Sequence, residues 1–147
     1  MLLLASAVFG LSMFSYGVVI IPFLLILFLF GIALGIIGTS LVLRLGPAAE
    51  WFVWPIPAIV SPFAGVFYPV ATLPVWMQYV SYLLPPSYVF EGVRTVAGGG
   101  SVPMQALLWG GSLSVIYILL SAGIFAHVYR GAVRTGLIAR YSAESVT

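Results

Sequence analysis

Long apolar runs, rather than a repeat of polar and apolar positions, dominate this chain. Four stand out: about Met1 to Tyr16, Val18 to Leu43, Glu50 to Tyr68, and Met104 to Tyr129. A helix that crosses a bilayer needs roughly 20 apolar residues. The second and fourth runs exceed that and the third just reaches it. The first, with 16 residues, spans about 24 Å at the helical rise and is short for a crossing. Its opening, Met1 to Ala7, lacks the basic start and the long apolar centre of a signal peptide. It reads as part of a membrane helix.

Between the third and fourth runs, Val70 to Pro103 is apolar and aromatic but cut by prolines. Pro74 suits the start of a helix, where a missing N–H does no harm. Pro85 and Pro86 must end that helix. Ser87 then suits the cap of a second one that runs to about Ala97, before Gly98-Gly-Gly-Ser101 breaks it. Two helices of about 10 residues each reach roughly 15 Å, half a bilayer. The pair therefore predicts a re-entrant hairpin, tolerated at membrane depth only where protein or a wet cavity covers its backbone.

Composition agrees with this pattern. The chain is 63% hydrophobic and 5% charged, against about 25% charged in a soluble domain. Its net charge is +2, and the basic residues form no patch of the size nucleic acid needs. It has no cysteine, hence no disulfide, thiol chemistry or cysteine metal site. It also has no asparagine and no lysine, hence no N-glycosylation site and no phosphate-binding loop of its own. The five basic residues are arginines. Arg130, Arg134 and Arg140 follow the last run, so the C-terminus is expected in the cytoplasm. Counting spans back puts Arg44 and the loop to Ala49 on the same side and the hairpin outside. Trp51 and Trp54 then fall at the inner interface, and Tyr68, Trp76, Tyr79 and Tyr82 at the outer one.

Several motifs have two readings. Gly31, Gly35 and Gly38 form a small-residue face, for packing inside the bundle or against a partner subunit. Pro55, Pro57, Pro62 and Pro69 weaken the third run, as a static kink or as a moving element. Glu91 and Arg94, three apart on one helix, can pair. They hold the hairpin or serve as an external gate. Ser112 and His127 are fifteen residues apart on one helix, about 22 Å, too far for a catalytic dyad. No metal-ligand cluster is visible.

The stretch Ser61-Pro-Phe-Ala-Gly65-Val-Phe67-Tyr68-Pro69, followed by Leu73-Pro74-Val-Trp76, Leu84-Pro85 and Glu91-Gly-Val-Arg94, resembles the permease subunit of type-2 ABC transporters. The tail from Arg134 to Arg140 is similar to that family's cytoplasmic end. The likeness runs from about Ile20 to Arg140. It implies an all-α membrane protein, with this chain supplying about four transmembrane helices plus an external re-entrant helical hairpin in one permease domain, 1–147. It also implies an exporter of drugs, lipids or polysaccharides in a bacterial inner membrane. The expected partners are an ATP-binding subunit and a second permease copy, with no cofactor in this chain, because ATP is held by the partner. Counterparts of the family's first two spans and main coupling loop are absent from this sequence. The expectation is therefore a fragment, a misassigned start or a half-permease completed by another chain. The alternative is a truncated membrane scaffold that does not transport.

Overall fold

The computed structural model describes residues 13–134, which form helices joined by short turns. Among them there is no strand. Helix α1 is Met13–Leu45, and a 3-10 turn at Pro47–Ala49 leads to α2, Glu50–Val53. Helix α3 is Ile56–Phe63 and a second 3-10 turn is Val70–Thr72. Helices α4, Val75–Leu83, and α5, Pro85–Ala97, precede the long α6, Met104–Arg134. Two segments, Ile20–Leu45 and Met104–Arg134, are long and apolar enough to cross a membrane. The expected run from Met1 lies mostly outside the described residues, as does the tail beyond Arg134.

The two long helices carry most of the packing. On α1 the buried stripe is Phe23, Ile26, Phe30, Ala33 and Ser40. On α6 it is Gly110, Ser114 and Ser121. These positions recur at intervals of three, four or seven residues, the spacing of a helix seam. A Cβ on Gly110 would lie 3.5 Å from Ile26 Cδ1. The Ser114 hydroxyl is shared between Gly110 O at 2.9 Å and Ile26 O at 3.3 Å. Further along, the Phe30 and Tyr117 rings meet edge to face at 5.3 Å. Rising numbers on α1 thus meet rising numbers on α6, so the two helices run parallel. The chain between them must travel back along α1.

That return is visible. Val53 packs on Gly38, where an added Cβ would lie 2.9 Å from Val53 Cγ1. By Gly65 the chain has reached Arg94, two residues from Gly92, which lies against Phe23. From Gly38 back to Phe23 is about 22 Å along α1, and residues 50–65 cover it.

Three expectations are corrected here. The break drawn at Gly17 is absent, and α1 runs from Met13 through Tyr16, Gly17 and Val18 without interruption. It even passes Pro22, whose missing N–H leaves only the Val18 carbonyl without its helical donor. The run from Glu50 to Tyr68 is not one helix. It breaks at Trp54-Pro55 and ends at Phe63, and neither α2 nor α3 has a buried residue. Ser87 does not cap α5, which starts at Pro85 with Leu84 before it. The remaining boundaries, Pro74 ahead of α4 and Gly98 after Ala97, fall where proline and glycine place them.

Most of the two long helices faces outward. Only 22% and 17% of their apolar windows are buried, far less than in the core helix of a water-soluble domain. Ile21, Leu24, Leu25 and Phe28 on α1 are exposed, as are Leu108, Ile116, Leu119 and Leu120 on α6. Exposed apolar faces of this kind mark surfaces for another protein or for a membrane.

Candidate functional site

Helix α5 is the element that joins the rest. Val89 is buried with Phe23 and Ile26, and Leu27, Val93 and Leu107 pack round them. Gly92 makes this possible. A Cβ there would overlap the Phe23 ring, 2.7 Å from Cζ, so only glycine lets α5 lie this close to α1. Tyr88, early in α5, sits by Gly110, and Gly92, a turn later, sits by Phe23. Because Gly110 is level with Ile26, α5 runs counter to α1.

On the outer side of α5, Glu91 and Arg94 form the one ion pair among the described residues, at 3.0 Å. They do more than pair with each other. Glu91 Oε1 also accepts the backbone N–H of Val70 at 2.7 Å. Arg94 donates through its second terminal nitrogen to Gly65 O at 2.9 Å. The pair thus clamps the loop 65–70 onto α5. Sequence spacing predicts the ion pair, but its two backbone partners lie 21 and 29 residues away and only the fold supplies them. Both side chains are over a third exposed. Solvent therefore reduces the charge–charge part to about 1 kcal/mol, and the positioning of the loop is the larger consequence.

The loop itself is built for this grip. Gly65 has φ +67°, a left-handed conformation that costs other residues about 1–2 kcal/mol. A Cβ there would also press on Val70 Cγ2 at 3.0 Å. Pro69 is extended and its carbonyl accepts from the N–H and hydroxyl of Thr72. Val70 and Leu73 turn inward and are buried. The Gln78 side chain donates to Leu73 O at 2.8 Å, which holds the turn to α4. Pro74 opens α4, and its carbonyl accepts from Met77 and Gln78. Trp76 is mostly exposed but meets the edge of Phe63 at 6.3 Å, linking α4 to α3. Phe67 is exposed and Tyr68 half-buried.

The α4–α5 turn solves a backbone problem that the sequence creates. Pro85 and Pro86 have no N–H to give to the carbonyls of Ser81 and Tyr82, four residues back. The Leu84 N–H reaches Ser81 O at 3.0 Å, and two hydroxyls supply further donors. Ser87 Oγ donates to Ser81 O and also reaches Leu84 O at 2.8 Å. Tyr88 OH donates to Tyr82 O at 2.9 Å. Pro85, Pro86 and Ser87 are all buried at this turn. The signal was legible, since two prolines delete two donors and hydroxyl residues come directly after them.

The glycine face divides between its two readings. Gly31 and Gly35 have nothing within 4 Å of an added Cβ, and only Gly38 packs inside the chain, against Val53. The small residues that bring helices together are Gly92, Gly110 and Ser114 instead. Beside Gly35 and Gly38 lies an open cleft of about 330 Å³, walled by Thr39, Val42, Glu50 and Trp54. Ser112 and His127 are both exposed on α6, and the Ser112 hydroxyl bonds to Trp109 O. Among the described residues no three His, Cys, Asp or Glu side chains gather as a metal site. What the arrangement does chemically is to fix a hairpin and a loop on two long helices. No protein-family model, curated protein or solved structure matches this chain.

Proposed function

We propose that this chain is a membrane-embedded permease part of an ATP-driven exporter, with ATP hydrolysed by a separate subunit. One observation supports this reading above the others. Among the residues that carry the family resemblance, Gly65, Leu73, Glu91 and Arg94 are tied into the same loop and hairpin by the side chains of Glu91, Arg94 and Gln78. A shared series of prolines alone would leave them unconnected.

In this reading α1 and α6 are two spans. They are parallel, so the chain between them crosses once in the opposite sense. The proline-broken segment from Glu50 to Phe63 is that crossing, between the two long helices. The α4–α5 pair is a re-entrant hairpin that enters from outside and turns back at Leu84. Its turn carbonyls carry their own hydroxyl donors, as hydrocarbon requires. The ends bearing Arg44, Arg130 and Arg134 face the cytoplasm. A second permease copy completes the path, and the hairpin acts as its external lid.

The test is co-purification of the full chain, in detergent, with the ATP-binding subunit encoded beside it, and nucleotide-dependent labelling of exposed hairpin positions such as Tyr79. Binding of no ATPase and no change in labelling would sink the idea. A non-transporting scaffold is the second reading. It is favoured by the shortness of the Gly46–Val53 connection, which offers an ATPase little to dock on. It predicts membrane retention with labelling indifferent to nucleotide.

A further inference from the structure

The two ends of the helix pair differ in charge. At the Phe23 end, Glu91 and Arg94 neutralise each other. At the other end the parallel direction of α1 and α6 brings their C-terminal turns together. Arg44 lies in the last turn of α1, and Arg130 and Arg134 close α6. Their positions in the chain put these arginines on one side of a membrane, but Arg44 is more than eighty residues from the other two. The register that pairs Ile26 with Ser114 and Phe30 with Tyr117 carries Arg44 to the level of Arg130–Arg134. All three are exposed. Glu50 is the one acid at this end among the described residues, so three positive charges against one negative leave a net +2. Trp51 and Trp54 stand beside them with more than four-fifths of their surface exposed. Below this ring the apolar faces of both helices are bare.

We propose that this end is a binding surface for anionic phospholipid headgroups, with Arg44, Arg130 and Arg134 as phosphate partners and Trp51 and Trp54 seated at the headgroup level. The inference rests on the membrane reading above. Guanidinium groups match phosphate oxygens in two-pronged geometry. Exposed indoles favour the boundary between hydrocarbon and water. Each arginine near an anionic surface strengthens attraction about fivefold, and salt weakens it.

The experiment reconstitutes the full chain in phosphatidylcholine vesicles with a minor fraction of phosphatidylglycerol. The lipids retained after mild detergent extraction are then quantified. Phosphatidylglycerol is expected to be enriched over its bulk share and less so in high salt. The single variants Arg44→Gln, Arg130→Gln and Arg134→Gln should each lower the enrichment, the triple variant should abolish it, and Glu50→Gln should raise it. Equal retention in the wild type and the triple variant overturns the proposal. So does full displacement of the lipid by inorganic phosphate at matched charge, which indicates a free-anion site. If alkaline carbonate strips the chain from the vesicles altogether, the membrane reading itself fails. Firm retention without enrichment removes the headgroup surface alone.

Discussion

Two stretches of the connecting chain are broken by prolines, and they end up in opposite situations. Residues 50–63 contain Pro55, Pro57 and Pro62 and contribute no buried residue from either of their helices. The hairpin contains Pro74, Pro85 and Pro86, and its second helix buries six residues, Pro85 and Pro86 among them. The number of prolines is the same, so proline content does not decide which stretch packs. The difference lies in the residues just after each break. After Pro86 come Ser87 and Tyr88, whose hydroxyls replace the lost donors, and then Val89 and Gly92, which fit against Phe23. After Pro55 the helix Ile56–Phe63 buries no residue. A break is compatible with tight packing when the deleted hydrogen bonds are replaced locally and the next helix presents a narrow face.

Widening that face should have the largest effect. Gly92→Ala pushes a methyl into the Phe23 ring and should cost about 3 kcal/mol of stability, read as lowered thermal resistance by fluorescence-detected gel filtration. Adding Phe23→Leu should recover part of the loss, because the two changes share one contact. Additive losses would show that Gly92 matters for another reason.

Next in size is the clamp. Glu91→Ala removes the acceptor of the Val70 N–H and the partner of Arg94, at about 2 kcal/mol. The exchange Glu91→Arg with Arg94→Glu restores a charge pair but presents a donor to an N–H and an acceptor to a carbonyl. It should therefore not rescue. Recovery to wild-type stability would reduce the clamp to a simple surface ion pair.

The hairpin hydroxyls give a smaller effect that also reports on surroundings. Tyr88→Phe should cost about 1 kcal/mol in a bilayer, where no water can serve the freed Tyr82 carbonyl, and Ser87→Ala less, because the Leu84 N–H still serves Ser81 O. Near-neutral results from both variants in lipid would place the turn in water. Smallest of all is Pro62→Ala in the unpacked stretch. It restores a helical donor without disturbing a buried contact, so thermal resistance should shift by less than about 0.5 kcal/mol.

Much of the architecture could be read directly. Pro74, Leu84-Pro85 and the glycines after Ala97 mark the limits of α4 and α5, because the prolines remove donors and Gly99 takes a positive φ of 81°. Arg44 and Glu50 fall in the last and first turns that the helix dipole favours. The apolar runs pointed to the two long helices, but their limits were less legible. Gly17 resembled a break and is not one, since a glycine inside a long apolar run weakens a helix by only about 1 kcal/mol. The run from Glu50 looked continuous by hydropathy, yet three prolines within eight residues interrupt its hydrogen bonds faster than apolar content can compensate.

The candidate site was half legible. Glu91 and Arg94 pair across three residues of one helix, a local relation that sequence carries. Their grip on Val70 N–H and Gly65 O joins elements far apart, and nothing in spacing along the chain encodes it. Spacing left the glycine face with two readings for the same reason. Gly31 and Gly35 make a narrow face, but a narrow face packs only if a partner is brought to it, and the partner helix lies on the opposite stripe of α1.

The amino-acid order alone settles the helical, apolar character of this protein, the places where proline and glycine interrupt it, and the pairing of its two hairpin charges. These depend on missing donors, backbone freedom and composition, all of which act within a few residues. Three outcomes needed the packed chain: α1 and α6 lie parallel, Gly92 rather than Gly31 or Gly35 admits a neighbour, and the arginines of two distant helix ends share one level. Those outcomes depend on which apolar stripes meet. Hydrophobic contact has no direction of its own, so side-chain shape across the seam, such as Ser114 against Ile26 and Gly92 against Phe23, selects one arrangement among many.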